Sequence, residues 1–316
     1  MITEKDRHVL EHWSFPLEEA ARNSYRSLQS RLQKIYDDVL IDQSKPIRLD
    51  DFLDDFLKEC EIFSWAFFRV FSDGQEFRRS PSSTAFNSAL VAYHFARENQ
   101  WEPVKLKTFV RGTLLHEVGM LFVPSEIINK QGKVDEKERA IIEAHPSVTA
   151  ELVQKWMELP EIQAMALGHH EDWNGAGYPK GLQGSQIHLF AQTLSVIQSF
   201  VAMATQRGYR NSMVGYLSMK QLLQLKGTRF SEDLVLEFVN TFGLHPPGSV
   251  VLLSDGSISR VIEPVMGNPL RPKVRILIDS SGKEFRQDNG AQMELDQVKK
   301  IFIARPVNLL DLQISE

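Results

Sequence analysis

The sequence predicts a mainly α-helical protein that closes on a small β-rich domain. Three observations carry this. Apolar residues recur at three- and four-residue steps from the N-terminal region onward, helical segments follow one another almost without interruption from residue 84 to residue 242, and the pattern then changes to short β-rich runs separated by Asp-Gly, Asn-Pro and Ser-Gly turns.

In the first region, residues 1–80, the positions Ala20, Ala21, Tyr25, Leu28, Leu32, Ile35, Tyr36 and Val39 form one helical stripe. A second helix is expected over 50–57. The Phe-, Trp- and Val-rich segment 62–72 reads as a strand turning at Asp73-Gly74, so the region is expected to be a mixed accessory unit with a short strand pair. A packing or homodimerisation role for the first helix is the expectation here.

The second region, 81–243, opens on Pro81-Ser82-Ser83-Thr84, a loop whose Ser or Thr can cap the following helix. Helices are expected near 84–98, 103–117, 135–144, 147–158, 161–170, 187–206, 217–225 and 231–242. The third region, 244–316, begins with His245-Pro246-Pro247-Gly248. Its strands are expected over 249–253, 257–262, 273–278 and 300–304.

The 316 residues are 42% hydrophobic, enough for a substantial core, and carry a formal net charge of -5, which argues against nonspecific DNA binding through phosphate neutralisation. Cys60 is the single cysteine, so no intramolecular disulfide forms, and a packed thiol in a reducing compartment is expected. The N-terminus lacks the apolar run of a signal peptide, and no stretch approaches the roughly 18 apolar residues of a membrane span. These features point to the cytoplasm.

Histidines concentrate the chemistry of the helical region. His116 is followed by Glu117, His145 precedes Pro146 at a helix break, and His169-His170 runs into a loop with an Asn-Gly step. Neutral imidazole is the commonest metal ligand, and with carboxylates it suits iron, manganese or zinc. Each histidine taken alone also fits a core or helix-terminal position.

These residues resemble the HD-GYP family of cyclic di-GMP phosphodiesterases. His116-Glu117-Val118-Gly119-Met120 is similar to the family's His-Asp-Ile-Gly-Lys, and Ile127-Ile128-Asn129-Lys130-Gln131-Gly132-Lys133 to the loop after it. Ala144-His145-Pro146, His169-His170-Glu171 and Gly177-Tyr178-Pro179 follow in order. Arg207, Tyr209 and Arg210 resemble Arg-Pro-Tyr-Arg, and Gly227-Thr228-Arg229-Phe230 resembles Gly-Thr-x-Phe. The likeness covers about half of the chain, and Pro246-Pro247-Gly248 with Asn268-Pro269-Leu270-Arg271-Pro272 resembles an extension found in some members.

The resemblance implies an HD-type helical domain in which metal ions activate a water against a phosphodiester of cyclic di-GMP, giving pGpG or GMP. It implies His116, Glu117, His145, His169 and His170 as ligands, with Gln198 at a further ligand position. Glu117 and Tyr178 are the catalytic candidates, and Lys130, Tyr178, Arg207 and Arg210 the substrate-binding ones. A GGDEF-type diguanylate cyclase is the implied protein partner.

Departures from the family pattern fall on the metal site. Ile197-Gln198-Ser199-Phe200-Val201-Ala202 stands where the family has Ala-Asp-Val-x-Asp-Ala, so Gln198 and Val201 replace aspartates. Asn87 and Ser83 stand where an upstream helix supplies a histidine and sometimes a glutamate, and Met120 replaces a lysine. Lost anionic charge weakens one metal position, while His145, His169, His170 and Glu117 make a donor set for one ion. The expectation is a degenerate or weakly active phosphodiesterase, with one or two ions or none, that binds the nucleotide or a signalling partner, the alternative being an active metal-dependent phosphodiesterase.

Overall fold

The computed structural model describes residues 16–73, 80–205, 213–285 and 289–307. The first apolar stripe forms α1, Pro16–Ile41. Ala21, Tyr25, Leu28, Leu32, Tyr36 and Val39 are buried in the chain's own core, which leaves Leu17, Leu40 and Ile41 exposed at the helix ends. α2, Asp50–Phe63, ends at Ser64, whose positive φ of 43° turns the chain directly into α3, Trp65–Asp73.

α3 corrects the strand expected over 62–72. Trp65, Ala66, Phe67, Phe68, Val70 and Phe71 are all buried, while Arg69 and Ser72, three residues apart, form one narrow polar edge. The nine-residue run does carry the helical period, but it is short and its aromatic and Val content imitates a strand. The described part of the first region is therefore helical, and the turn expected at Asp73-Gly74 runs into residues outside those described.

α4, Pro81–Glu98, starts at a proline that has no N–H to lose, and the Ser80 hydroxyl accepts from the Ser83 N–H at 3.2 Å. The cap thus lies one residue before the expected 81–84 segment. α4 is central: from Ser82 to Ala96 only Thr84 escapes full burial. After it come α5 (Pro103–Leu115), α6 (Ser125–Ile128), α7 (Glu136–Glu143), α8 (His145–Lys155), α9 (Pro160–Gly168), α10 (Leu189–Thr205), α11 (Met213–Leu225) and α12 (Glu232–Phe242), of which α5, α10 and α12 pack directly on α4. A single hydrophobic core runs from Ala21 to Phe242, continuous across residue 80. No helix among the described residues is long and apolar enough to cross a membrane.

Beyond Gly248 the chain forms an antiparallel sheet of β1 (Val250–Leu253), β2 (Ile258–Glu263), β3 (Lys273–Ile278), β4 (Gln292–Glu294) and β5 (Ile303–Pro306), in the order β4-β3-β2-β1-β5. Alternating side chains feed two small cores, one containing Val250, Ile258 and Leu277, the other Val251, Val261 and Val274. β4 is three residues long without apolar alternation, which is why sequence pattern passes over it. The last strand begins at Ile303 rather than at 300.

One buried ion-pair cluster ties the sheet to the helices. The Glu18 carboxylate of α1 accepts from Arg69 of α3 at 2.5 Å and from Arg260 of β2 at 2.9 Å, and Arg69 also donates to the Ile262 carbonyl at 3.0 Å. Burial raises the Glu18 pKa, but the Arg260 and Arg69 guanidiniums outweigh it and hold the carboxyl below its usual value.

Candidate metal centre

Four histidines from three stretches of chain converge in one place. His116 caps the C-terminus of α5, His145 opens α8, and His169 caps α9 with His170 next to it. Ring centroids lie 5.1 Å apart for His116 and His169, 5.0 Å for His145 and His170, and 4.4 Å for His169 and His170. His116 and His169 are wholly buried, and His145 is 3% exposed.

The same local device orients three of the rings. Each Nδ1 meets the carbonyl three residues earlier at 2.7 Å: His116 to Thr113, His145 to Ile142, His169 to Ala166. A carbonyl only accepts, so each Nδ1 must carry the proton, and each Nε2 is left with its lone pair. Such an orienting bond to the far ring nitrogen is what metal-ligating histidines use. The freed Nε2 atoms of His145 and His169 face each other at 3.2 Å. Two lone pairs so placed repel unless a cation lies between or beside them. The Nε2 of His116 is likewise buried without a hydrogen-bond partner, 3.5 Å from a Glu117 carboxylate oxygen. One ligand atom each from His145, His169 and His170 lie within 4.8 Å of one another.

Electrostatics agree with this geometry. Burial pushes the pKa of His116 and His145 down to about 4, and burial together with the neighbouring imidazoles pushes His169 and His170 well below the ordinary histidine value. The cluster is therefore neutral at pH 7, the protonation state in which imidazole binds a metal. Burial also raises the Glu117 carboxyl to about 7; a dication beside it favours the anion. The donor set fits a divalent transition-metal ion.

Gln198 of α10 sits against the cluster, and its side-chain N–H donates to the His169 carbonyl at 2.8 Å while its nitrogen lies 3.4 Å from His170 Nδ1. Val201 is buried in the apolar core. At the other departures, α1 occupies the side chains of α4: the Asn87 Oδ1 accepts from the Tyr25 hydroxyl, and Gln29 donates to Ser83 Oγ at 2.9 Å. His94 stands elsewhere, stacked on Trp65 at 4.4 Å with both ring nitrogens unbonded.

The loop after His170 is built by close approach. A Cβ on Gly177 would lie 2.2 Å from the Asp172 nitrogen and 2.5 Å from the His170 carbonyl oxygen, and Gly119 would meet the His145 carbonyl at 2.2 Å, so only glycine fits either position. The Tyr178 N–H donates to the His170 carbonyl at 3.1 Å, and the Tyr178 ring stacks on His170 at 4.8 Å and 16°. Glu171 is 2% exposed and accepts from the backbone N–H groups of Lys180 (2.7 Å) and Leu182 (2.9 Å). Sequence reasoning gave Glu171 no role; its only signal was an acidic residue beside two histidines. Thr149, also unremarked, accepts from the Gly119 N–H at 2.9 Å and donates to the His116 carbonyl at 3.2 Å, joining α8 to the first motif.

Of the substrate-binding candidates, Tyr178 lies at the cluster. Lys130 is held by both carboxylate oxygens of Glu138, at 2.7 and 2.5 Å. Arg207 and Arg210 lie outside the described residues.

A family model described as HD domain matches residues 74–234, just over half of the chain. The chain belongs to the HD domain family. A second model, a KOW domain associated with HD domain, matches residues 250–315, the part that contains the sheet. The HD chain is 29% identical over 171 residues to the cyclic di-GMP phosphodiesterase PA4108 of Pseudomonas aeruginosa, covering 54% of this chain and 41% of that one. It is 24% identical over 236 residues to the cyclic di-GMP phosphodiesterase PdeB of Borreliella burgdorferi, covering 72% and 62%. The chain thus spans between two fifths and two thirds of the length of these relatives. In fold it is similar to Bd1817, an HDG"Y"P protein from Bdellovibrio bacteriovorus, with a TM-score of 0.55 at 16% identity over 69% of this chain and 71% of that one.

Proposed function

We propose that this HD domain protein acts in cyclic di-GMP signalling, binding the nucleotide beside a single divalent ion of iron, manganese or zinc and hydrolysing it slowly. The observation that supports this reading most is the facing pair of His145 and His169 Nε2 atoms at 3.2 Å, each with its Nδ1 proton engaged by a carbonyl. His116, His145, His169, His170 and Glu117 are the proposed ligands. A divalent ion held by them would supply water activation and offset charge on the phosphodiester.

The remaining roles belong to side chains. Glu117 would accept the proton that the attacking water gives up, through a carboxylate oxygen not engaged by the ion, and Tyr178, fixed by its stack on His170, lines the nucleotide pocket. Gln198 acts through its bond to the His169 carbonyl, holding that histidine in place, and as a neutral amide adds no charge to retain a second ion. Asn87 is likewise engaged by Tyr25. These two positions are why one ion and slow turnover are proposed over a two-ion site. Lys130 reaches a phosphate only by leaving Glu138, and Arg207 and Arg210 remain proposed phosphate contacts from the family motif. A GGDEF-type diguanylate cyclase is the proposed protein partner, and pairing of two copies through α1 has its exposed ends, Leu17, Leu40 and Ile41, available.

The test is product formation from cyclic di-GMP with manganese or iron(II) added, alongside calorimetry of cyclic di-GMP binding. Binding with slow release of pGpG or GMP, abolished by His169→Ala, is expected. Turnover as fast as that of the curated relatives would favour the fully active alternative, and absence of both binding and turnover would refute the reading.

A further inference from the structure

An anionic dinucleotide is held by cations beside the cluster, and Arg229 is one that the fold sets against the Tyr178 loop. It lies in the turn Gly227-Thr228-Arg229-Phe230 between α11 and α12. Two backbone bonds hold this turn against the loop that carries Tyr178: Trp173 N–H donates to the Arg229 carbonyl and Asn174 N–H to the Thr228 carbonyl, both at 2.9 Å. The Arg229 Nε donates to Asp172 Oδ1 at 3.2 Å, and Asp172 is two residues past His170. The guanidinium also lies over the Phe230 ring, 5.3 Å from its centroid. Its side chain is 41% exposed, and its two terminal NH2 groups have no hydrogen-bond acceptor among the described residues.

A planar fork with one donor anchored and the outer pair free is the arrangement that grips two oxygens of a phosphate. We infer that Arg229 is a substrate-binding residue, its terminal NH2 groups taking the non-bridging oxygens of a phosphodiester group of the nucleotide whose pocket Tyr178 lines. This rests on the proposed cyclic di-GMP binding.

The test compares cyclic di-GMP affinity by calorimetry, and metal content, in wild type, Arg229→Met, Arg229→Lys and Lys226→Met. Lys226 belongs to the same turn and pairs with Glu232, so it controls for loss of one positive charge. Arg229→Met is expected to weaken binding about tenfold or more with metal content unchanged, Arg229→Lys to recover part of the loss because it keeps the charge and loses the fork, and Lys226→Met to bind like wild type. Arg229→Met binding as tightly as wild type would overturn this inference alone. Loss of metal together with nucleotide would make Arg229 a brace of the 172–184 loop and overturn it too. A wild type that binds no cyclic di-GMP would overturn both this inference and the reading beneath it.

Discussion

His145 and His169, 24 residues apart in sequence, point their Nε2 atoms at each other across 3.2 Å, and each ring is locked in that pose by its own Nδ1 bond. With His116 and His170 around them, the pair makes a buried, neutral, electron-rich pocket. That arrangement is unfavourable alone and favourable around a cation.

Added manganese or zinc is therefore expected to stabilise the protein against heat. At about 100-fold excess over the dissociation constant, mass action supplies about 2.7 kcal/mol, a rise on the order of 5 °C for a chain of this size. His169→Ala should abolish the metal-dependent rise, measured by differential scanning fluorimetry with and without the ion.

Gln198→Asp exchanges the amide that bonds the His169 carbonyl for a carboxylate. Without metal, the variant loses that bond and is expected to be less stable by about 1–3 kcal/mol. With metal, the added negative charge should tighten binding roughly tenfold or more. Chemical denaturation and metal titration of the same variant should therefore move in opposite directions.

Gly177→Ala should disrupt the loop even though it adds a single methyl group. The new Cβ would lie 2.2 Å from the Asp172 nitrogen and 2.5 Å from the His170 oxygen, and both are backbone atoms. A loss of about 1–3 kcal/mol is expected, together with weaker cyclic di-GMP binding, because Tyr178 and His170 must shift. Denaturation midpoints and calorimetry measure the two effects.

Glu18 gives the tether between sheet and helices a defined pH dependence. Its folded pKa lies below the unfolded value, so its contribution is present above the unfolded pKa of about 4.5 and is lost as pH falls through the folded pKa. Glu18→Gln leaves Arg69 and Arg260 buried without their anion, at a cost of about 3–5 kcal/mol near pH 7. The deficit relative to wild type should shrink as pH falls below about 4, as urea melts at pH 7 and at acid pH would show.

Much of this was legible in the sequence because the signals were local. Helix periodicity, the prolines that open α4, α5 and α9, and the turn residues around the strands each reflect short-range physics. The motif order brought His116, His145, His169 and His170 together, and the structure places them in one cluster. What escaped was context: α3 is a short aromatic-rich helix whose polar edge is only Arg69 and Ser72, Ser83 and Asn87 find partners on α1 more than 50 residues away, and Glu171 works through backbone groups that no side-chain pattern reveals. Arg229 matters because its turn lies against a loop more than 40 residues earlier, a contact that only the fold creates.

Metal content of the purified protein, by elemental analysis, tests the histidine cluster most directly. The expected result is about one transition-metal ion per chain in wild type and none in His145→Ala or His169→Ala. Wild-type protein that stays metal-free after incubation with manganese, iron(II) and zinc, or variants that retain the ion, would contradict it.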